Sequence, residues 1–148
     1  MKSIYENQLN KFFFHDVSIL NSNYADGVLT LALKNLIFIK DENGKERMLE
    51  LAFMTVKGLN ITEFNYTWSD TVTDDGEVIY RSFKRVTETN KQERFLSMLS
   101  EKIDKTNVYF YSVHKEPFGY IFNIYTAGDT DMECIFTCDS VSIEWLEE

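Results

Sequence analysis

Most of this sequence alternates apolar with polar residues, and that alternation constrains the fold more than any other feature. Leucine occupies every odd position of residues 29–33, and aromatic residues occupy every even position of residues 64–68. Successive side chains of a strand point to opposite faces, so this alternation is typical of strands with one buried face. The pattern therefore predicts a fold dominated by half-buried β-strands.

Short turn signals separate the alternating segments. Asp-Gly at 26–27, Asp-Glu-Asn-Gly at 41–44 and Asp-Asp-Gly at 74–76 supply the positive φ angles that tight hairpin turns require. Strands joined by short turns pair antiparallel, so we expect a mainly antiparallel sheet of about eight strands. The alternation slips at Asn35, where we expect a bulge or bend, and at Asp139-Ser140, where we expect a bulge or a break between strands.

Two segments have a helical spacing instead. Ser3 and Glu6 fit a capping box ahead of an apolar stripe, which predicts a short N-terminal helix that ends near Phe14. Residues 89–104 place apolar residues at helical spacing with charged residues between them, which predicts one amphipathic helix lying on the sheet. Runs of strands with few helices indicate the α+β class, and no linker or repeat divides residues 1–148, so we expect a single domain.

Net charge and hydropathy exclude two broad classes of partner. The chain of 148 residues carries a net charge of −9, and nucleic-acid binding is not expected because duplex affinity depends mainly on Lys and Arg. No apolar run approaches the roughly 18 residues of a membrane span, and the opening residues lack the apolar stretch of a signal peptide. We therefore expect no membrane contact and a cytoplasmic location.

The negative charge is concentrated near the C-terminus. Residues 116–148 contain eight acidic residues and no Lys or Arg, whereas residues 1–115 contain 16 acidic residues and all 15 basic ones. Two interpretations stay open: acidic turns that serve solubility, or a negative surface that attracts a basic protein partner. On the second interpretation, the candidate partner-binding residues are three acids and two tyrosines from a nearby tyrosine-rich stretch: Asp129, Asp131, Glu133, Tyr109 and Tyr111.

The motifs that usually carry chemistry are absent from this sequence. It has no P-loop, no G-x-G-x-x-G and no G-x-S-x-G. The two histidines, His15 and His114, lack metal-site spacing, and Cys134 and Cys138 have no second pair to complete a zinc site. We expect both cysteines to be reduced, buried thiols, since neither a strand nor one helical turn gives good disulfide geometry at this spacing. We predict no catalytic residue, cofactor or metal ligand, with an enzyme built from dispersed histidines and a carboxylate as an alternative.

Phe14-His15-Asp16 is the most distinctive local feature. In a functional interpretation, His15 is a general base oriented by Asp16, or a ligand. In a structural interpretation, His15 and Asp16 are a polar junction between the first helix and the first strand. Adjacent residues of a strand point to opposite faces, so we expect the two side chains not to meet, which favours the junction.

The opening of the chain resembles a group of small bacterial domains. The resemblance rests on Phe14, His15, Asp16, Gly27 and residues 29–33, with the general character of residues 138–144. These domains are mostly uncharacterised, and some are grouped with immunity proteins of toxin systems. The resemblance covers about the first quarter of the chain and implies a cytoplasmic, non-catalytic domain that binds and blocks a toxin.

These observations lead to one expected function and one alternative. The expected function is a non-catalytic, immunity-like interaction domain that uses an acidic surface to bind a basic protein. The alternative is a small-ligand-binding domain with an aromatic-lined pocket between helix and sheet, although aromatic residues are also the ordinary filling of a sheet core.

Overall fold

The computed structural model describes residues 2–72, 74–127 and 130–146, which form eleven strands, one α-helix and one turn of 3-10 helix. The strands are β1 (Lys2–Glu6), β2 (Phe12–Phe13), β3 (Ser18–Ala25), β4 (Val28–Phe38), β5 (Arg47–Lys57), β6 (Asn60–Val72), β7 (Val78–Val86), β8 (Val108–Glu116), β9 (Gly119–Thr126), β10 (Thr130–Thr137) and β11 (Ser140–Leu146). The α-helix α1 spans Lys91–Lys105, and the 3-10 turn spans Leu9–Lys11.

All eleven strands belong to one antiparallel sheet, as the alternation predicts. Their order is β1-β11-β5-β4-β3-β8-β9-β10-β6-β7, and β2 pairs with β4 beside this path. The strands outnumber the eight expected for two reasons. β1 and β2 stand where the sequence pattern predicts a helix, and a break at residues 138–139 separates β10 from β11.

The predicted N-terminal helix is wrong. Residues 2–6 form strand β1, which pairs with β11 from the far end of the chain, so that Ile4 lies opposite Glu144. The Tyr5 ring then stacks on Trp145 at 5.4 Å between centroids and packs against Phe38. A short helix is marginal by itself. Pairing with β11 and the packing of the partly buried Tyr5 ring against the core therefore outweigh the local capping pattern.

The second helix prediction is confirmed almost to the residue. The helix α1 packs against β3 and β6 through one apolar stripe, in which Phe95 and Leu99 are buried. The Phe95 ring meets the Phe64 ring of β6 edge to face, 5.4 Å between centroids. The Gln92 side chain accepts a hydrogen bond from the Ile61 amide and donates one to the Tyr24 hydroxyl, tying the helix to both strands. We call the side of the sheet that α1 covers the inner face.

One hydrophobic cluster fills the inner face. Its largest fully buried side chains include six from four central strands: Leu29, Leu31, Leu33, Phe110, Phe122 and Phe136. The expected bend at Asn35 is present. That residue has a φ of 65°, and the buried positions change from odd residues before it to Leu36 and Phe38 after it. The two-residue turn at Asp26-Gly27 also adopts the positive φ angles that the sequence predicts.

Both cysteines are free thiols, as expected. Cys134 is completely buried on the inner face, and this burial raises the pKa of its thiol well above the ordinary value. Cys138 follows β10 and is only partly buried, so the expectation that both thiols are buried is correct for Cys134 alone. Across the residues that the structure describes, no helix is long and apolar enough to cross a membrane.

Candidate functional site

A groove of about 770 Å³ lies on the outer face of the sheet, the side away from α1. Its floor comes from the outward-pointing residues of β9, β10 and β6, which alternate with the buried ones. The antiparallel register aligns these residues in two rows across the strands: Asn123, Glu133 and Asn65, then Tyr125, Asp131 and Thr67. We call this cavity the outer-face groove.

Two exposed aromatic side chains border the outer-face groove from different strands. Phe83 of β7 is 62% exposed, and Tyr111 of β8 is 59% exposed. The pairing of β8 with β9 shifts register between Phe110 and Ser112, so Tyr111 is an extra residue in a β-bulge. Bulges redirect side chains at binding sites, and this one leaves Tyr111 exposed beside the groove.

Three carboxylates give the outer-face groove its charge. Asp131 and Glu133 are two residues apart on the same face of β10, which separates their Cα atoms by roughly 7 Å. Asp16 joins them from the segment that precedes β3. No Lys or Arg is among the described residues that line the groove. Three carboxylates in one groove favour a negative local potential, which attracts cations.

A buried amide positions one of these carboxylates. Asn65 is only 5% exposed, and its Nδ2 donates to Glu133 Oε1 at 3.1 Å and to Glu63 Oε1 at 3.2 Å. Arg85 donates through Nε to Asn65 Oδ1, and its Nη2 lies 3.0 Å from Glu63 Oε1. Arg85 therefore pairs with Glu63, while a neutral amide holds Glu133 at the groove.

His15, Asp16 and Tyr125 form a hydrogen-bonded group at the side of the groove. The Tyr125 hydroxyl donates a hydrogen bond to Asp16 Oδ1, and His15 Nε2 lies 3.2 Å from Asp16 Oδ2. The expectation that His15 and Asp16 do not meet is therefore wrong. Asp16 lies in a turn with a φ of 64°, not in a strand, and the two side chains turn toward each other. The junction connects β2 to β3 rather than a helix to a strand.

Within this group, the surroundings of Tyr125 shift the pKa of its phenol upward. Burial, followed by the hydrogen bond from Tyr125 to Asp16 and the charge of Asp16, raises the pKa of Tyr125 to about 12. The phenol therefore stays protonated near neutral pH and serves as a donor that holds Asp16 in place. His15 is packed between two rings, stacked on Phe13 and 5.1 Å from the Tyr111 centroid.

The structure brings together most of the residues that the sequence singles out. Asp131, Glu133 and Tyr111 all line the outer-face groove, together with both residues of the polar junction. Tyr109 is not among the described residues that line the groove, and its ring stacks on that of Tyr125 at 5.2 Å between centroids. Asp129 lies outside the described residues.

Other features of the site depart from the sequence interpretation. The acidic C-terminal segment does not share one surface, since Glu144 belongs to β11, which lies beyond five other strands from β10. The groove is also not in the position expected for a pocket, which was between helix and sheet. Phe95 and Leu99 close that side, and the groove lies on the opposite face. The sequence pattern does not single out Phe83 or Asn65 as site residues.

In residues 2–72, 74–127 and 130–146, no three His, Cys, Asp or Glu side chains are grouped closely enough to hold a metal ion. No family model, no curated protein and no solved structure gives a significant match to this chain.

Proposed function

We propose that this chain is a non-catalytic binding domain whose outer-face groove takes a basic segment of a partner protein. The observation that carries the proposal is the groove itself. Asp16, Asp131 and Glu133 line a cavity that is bordered by exposed Phe83 and Tyr111 and that has no Lys or Arg among its described lining residues. Negative charge between low-dielectric walls concentrates the field and accelerates the approach of a basic partner.

The aromatic border gives the groove a second way to hold a cation. A Lys or Arg side chain over an aromatic face gains about 0.5–1 kcal/mol at an exposed site. Tyr111 and Phe83 are exposed enough to offer such faces. Tyrosine and tryptophan are also enriched among the interface residues that contribute most to binding energy. The resemblance of the opening residues to immunity-protein domains suggests a toxin as the partner, bound and blocked without any chemical step.

Labelled peptides of defined charge test this proposal directly. We would measure fluorescence anisotropy with peptides of equal length that are basic, neutral or acidic, at about 50 mM and about 500 mM salt. The basic peptide should bind at low salt, weaken at high salt and bind better than the other two. A double variant, Asp131→Asn with Glu133→Gln, should weaken that binding about tenfold or more, because close charge pairs contribute on that scale.

The matched control removes the same charge away from the groove. Glu50→Gln on β5 combined with Asp104→Asn on α1 changes two exposed acids. This control should change the affinity by no more than about twofold, since separated surface charges are screened. If both double variants weakened binding equally, net charge would explain the affinity and the groove would not.

A small cationic ligand is the second candidate for the same groove. The volume of about 770 Å³ falls within the range that drug-sized ligands occupy. The two candidates differ in how affinity grows with ligand size. A single arginine or lysine amide that bound as tightly as a basic hexapeptide would favour the small ligand, whereas a large gain with length would favour the protein segment.

A further inference from the structure

We infer that the outer-face groove selects arginine over lysine, an inference that rests on the proposed function and specifies the chemistry of its partner. The first reason is the spacing of the carboxylates. Asp131 and Glu133 are on alternate positions of β10, with Cα atoms roughly 7 Å apart, and Asn65 restrains Glu133 through its Oε1 atom. The two carboxylates are therefore separate groups on the same face of β10.

A guanidinium group suits two separated acceptors better than an ammonium group does. Its five N–H donors lie in one plane and point in several directions, so neighbouring edges can bond to different carboxylates. An ammonium is a compact point charge whose donors surround a single nitrogen atom. It therefore meets one carboxylate well and the other only at a distance.

The ring surfaces beside the groove are the second and independent reason. His15 and Tyr111 line one side of the groove, with their ring centroids 5.1 Å apart. Phe83 borders the groove from β7. Guanidinium is planar, weakly hydrated and stacks on such faces, whereas ammonium gives up a tightly held hydration shell to do so. The carboxylates suit the several N–H donors of a guanidinium group, and the rings suit its flat face. Both properties distinguish arginine from lysine.

Two matched peptides test the inference. We would compare labelled hexapeptides of alternating arginine and serine with hexapeptides of alternating lysine and serine, which carry equal charge. The arginine peptide should bind about tenfold more tightly, a difference in the range of a charge-assisted bidentate contact. Methylguanidinium should likewise displace it at about tenfold lower concentration than methylammonium, a readout that needs no variant.

Two single variants test whether the preference for arginine arises in the groove. Tyr111→Leu should reduce arginine-peptide affinity about fivefold and lysine-peptide affinity less than about twofold. Phe118→Leu is the matched control, because Phe118 is also 59% exposed but lies in the turn between β8 and β9. It should leave both affinities unchanged.

The outcomes separate this inference from the proposed function. Equal binding of both peptides, or tighter binding of the lysine peptide, would overturn arginine selectivity. The proposed function, a groove for a basic segment, would still stand. Binding of neither peptide would overturn the proposed function, and this inference with it.

Discussion

The two faces of strand β10 show how one short sequence serves stability and binding separately. Met132, Cys134 and Phe136 point to the inner face and are buried in the core. Asp131 and Glu133, displaced by one residue, point to the outer face and line the groove. Neighbouring strands follow the same division, with Phe122 inside and Asn123 outside on β9. Function in this fold is therefore expected on the residues that the core does not use.

The largest expected effect lies on the inner face. Phe122→Ala removes a ring that packs on Phe110 and Phe136, with centroids 5.1 Å and 4.7 Å away. Truncating a buried Phe costs about 3–5 kcal/mol of unfolding free energy, which urea denaturation would measure. The outer-face change Asp131→Asn should cost less than about 1 kcal/mol. Equal losses for the two variants would contradict the division between faces.

A smaller effect is expected at Asn65, which is buried and also positions Glu133 at the groove. Asn65→Ala removes the amide that holds Glu133 and Glu63 and accepts from Arg85. Lost hydrogen bonds at this buried position should lower the free energy of unfolding by about 1–3 kcal/mol. Binding of a basic peptide should also weaken, because Glu133 loses its positioning partner.

The comparison for Asn65 is an exposed asparagine. Asn23→Ala alters an exposed residue of β3 and should change neither stability nor affinity appreciably. Both quantities are measurable on the same samples by denaturation and anisotropy. An Asn65→Ala variant that lost stability but bound the peptide unchanged would show that Glu133 needs no positioning.

The smallest effect concerns the pH dependence of Tyr125. Because its pKa is raised to about 12 in the folded chain, while an ordinary tyrosine titrates near 10, its contribution to stability is fully present below about pH 10. That contribution should decline as pH rises from about 10 toward 12. Burial also raises the pKa of Tyr120, so the readout is the difference in ultraviolet titration between the wild type and Tyr125→Phe, which should show a late tyrosinate transition. A transition at the ordinary pKa would mean that Asp16 does not hold the phenol.

Part of this architecture could be predicted from the sequence, because it depends on neighbouring residues. Alternation identified the buried side of the central strands, and helical spacing identified α1. The Asp26-Gly27 turn and the bend at Asn35 follow from residues that tolerate positive φ. In each case the signal lies within a few residues of the structure that it specifies.

The remaining features depend on contacts between distant residues. β1 is a strand because β11 lies beside it, and a local capping pattern carries no information about that partner. Tyr125 reaches Asp16 across 109 residues of sequence. Alternation could assign Asp131 and Asn65 to an outer face. Only the strand order, with β10 between β9 and β6, makes them neighbours.

The most direct test of a basic-segment groove is to map where a basic peptide contacts the chain. We would titrate isotope-labelled protein with an arginine-serine hexapeptide and follow the backbone amides by two-dimensional NMR. The largest shifts should fall on Tyr111, Asp131, Glu133 and their neighbours on β9, with α1 and β5 nearly unchanged. Shifts concentrated on α1 or β5, or spread evenly over acidic surface residues, would contradict the assignment of binding to the outer-face groove.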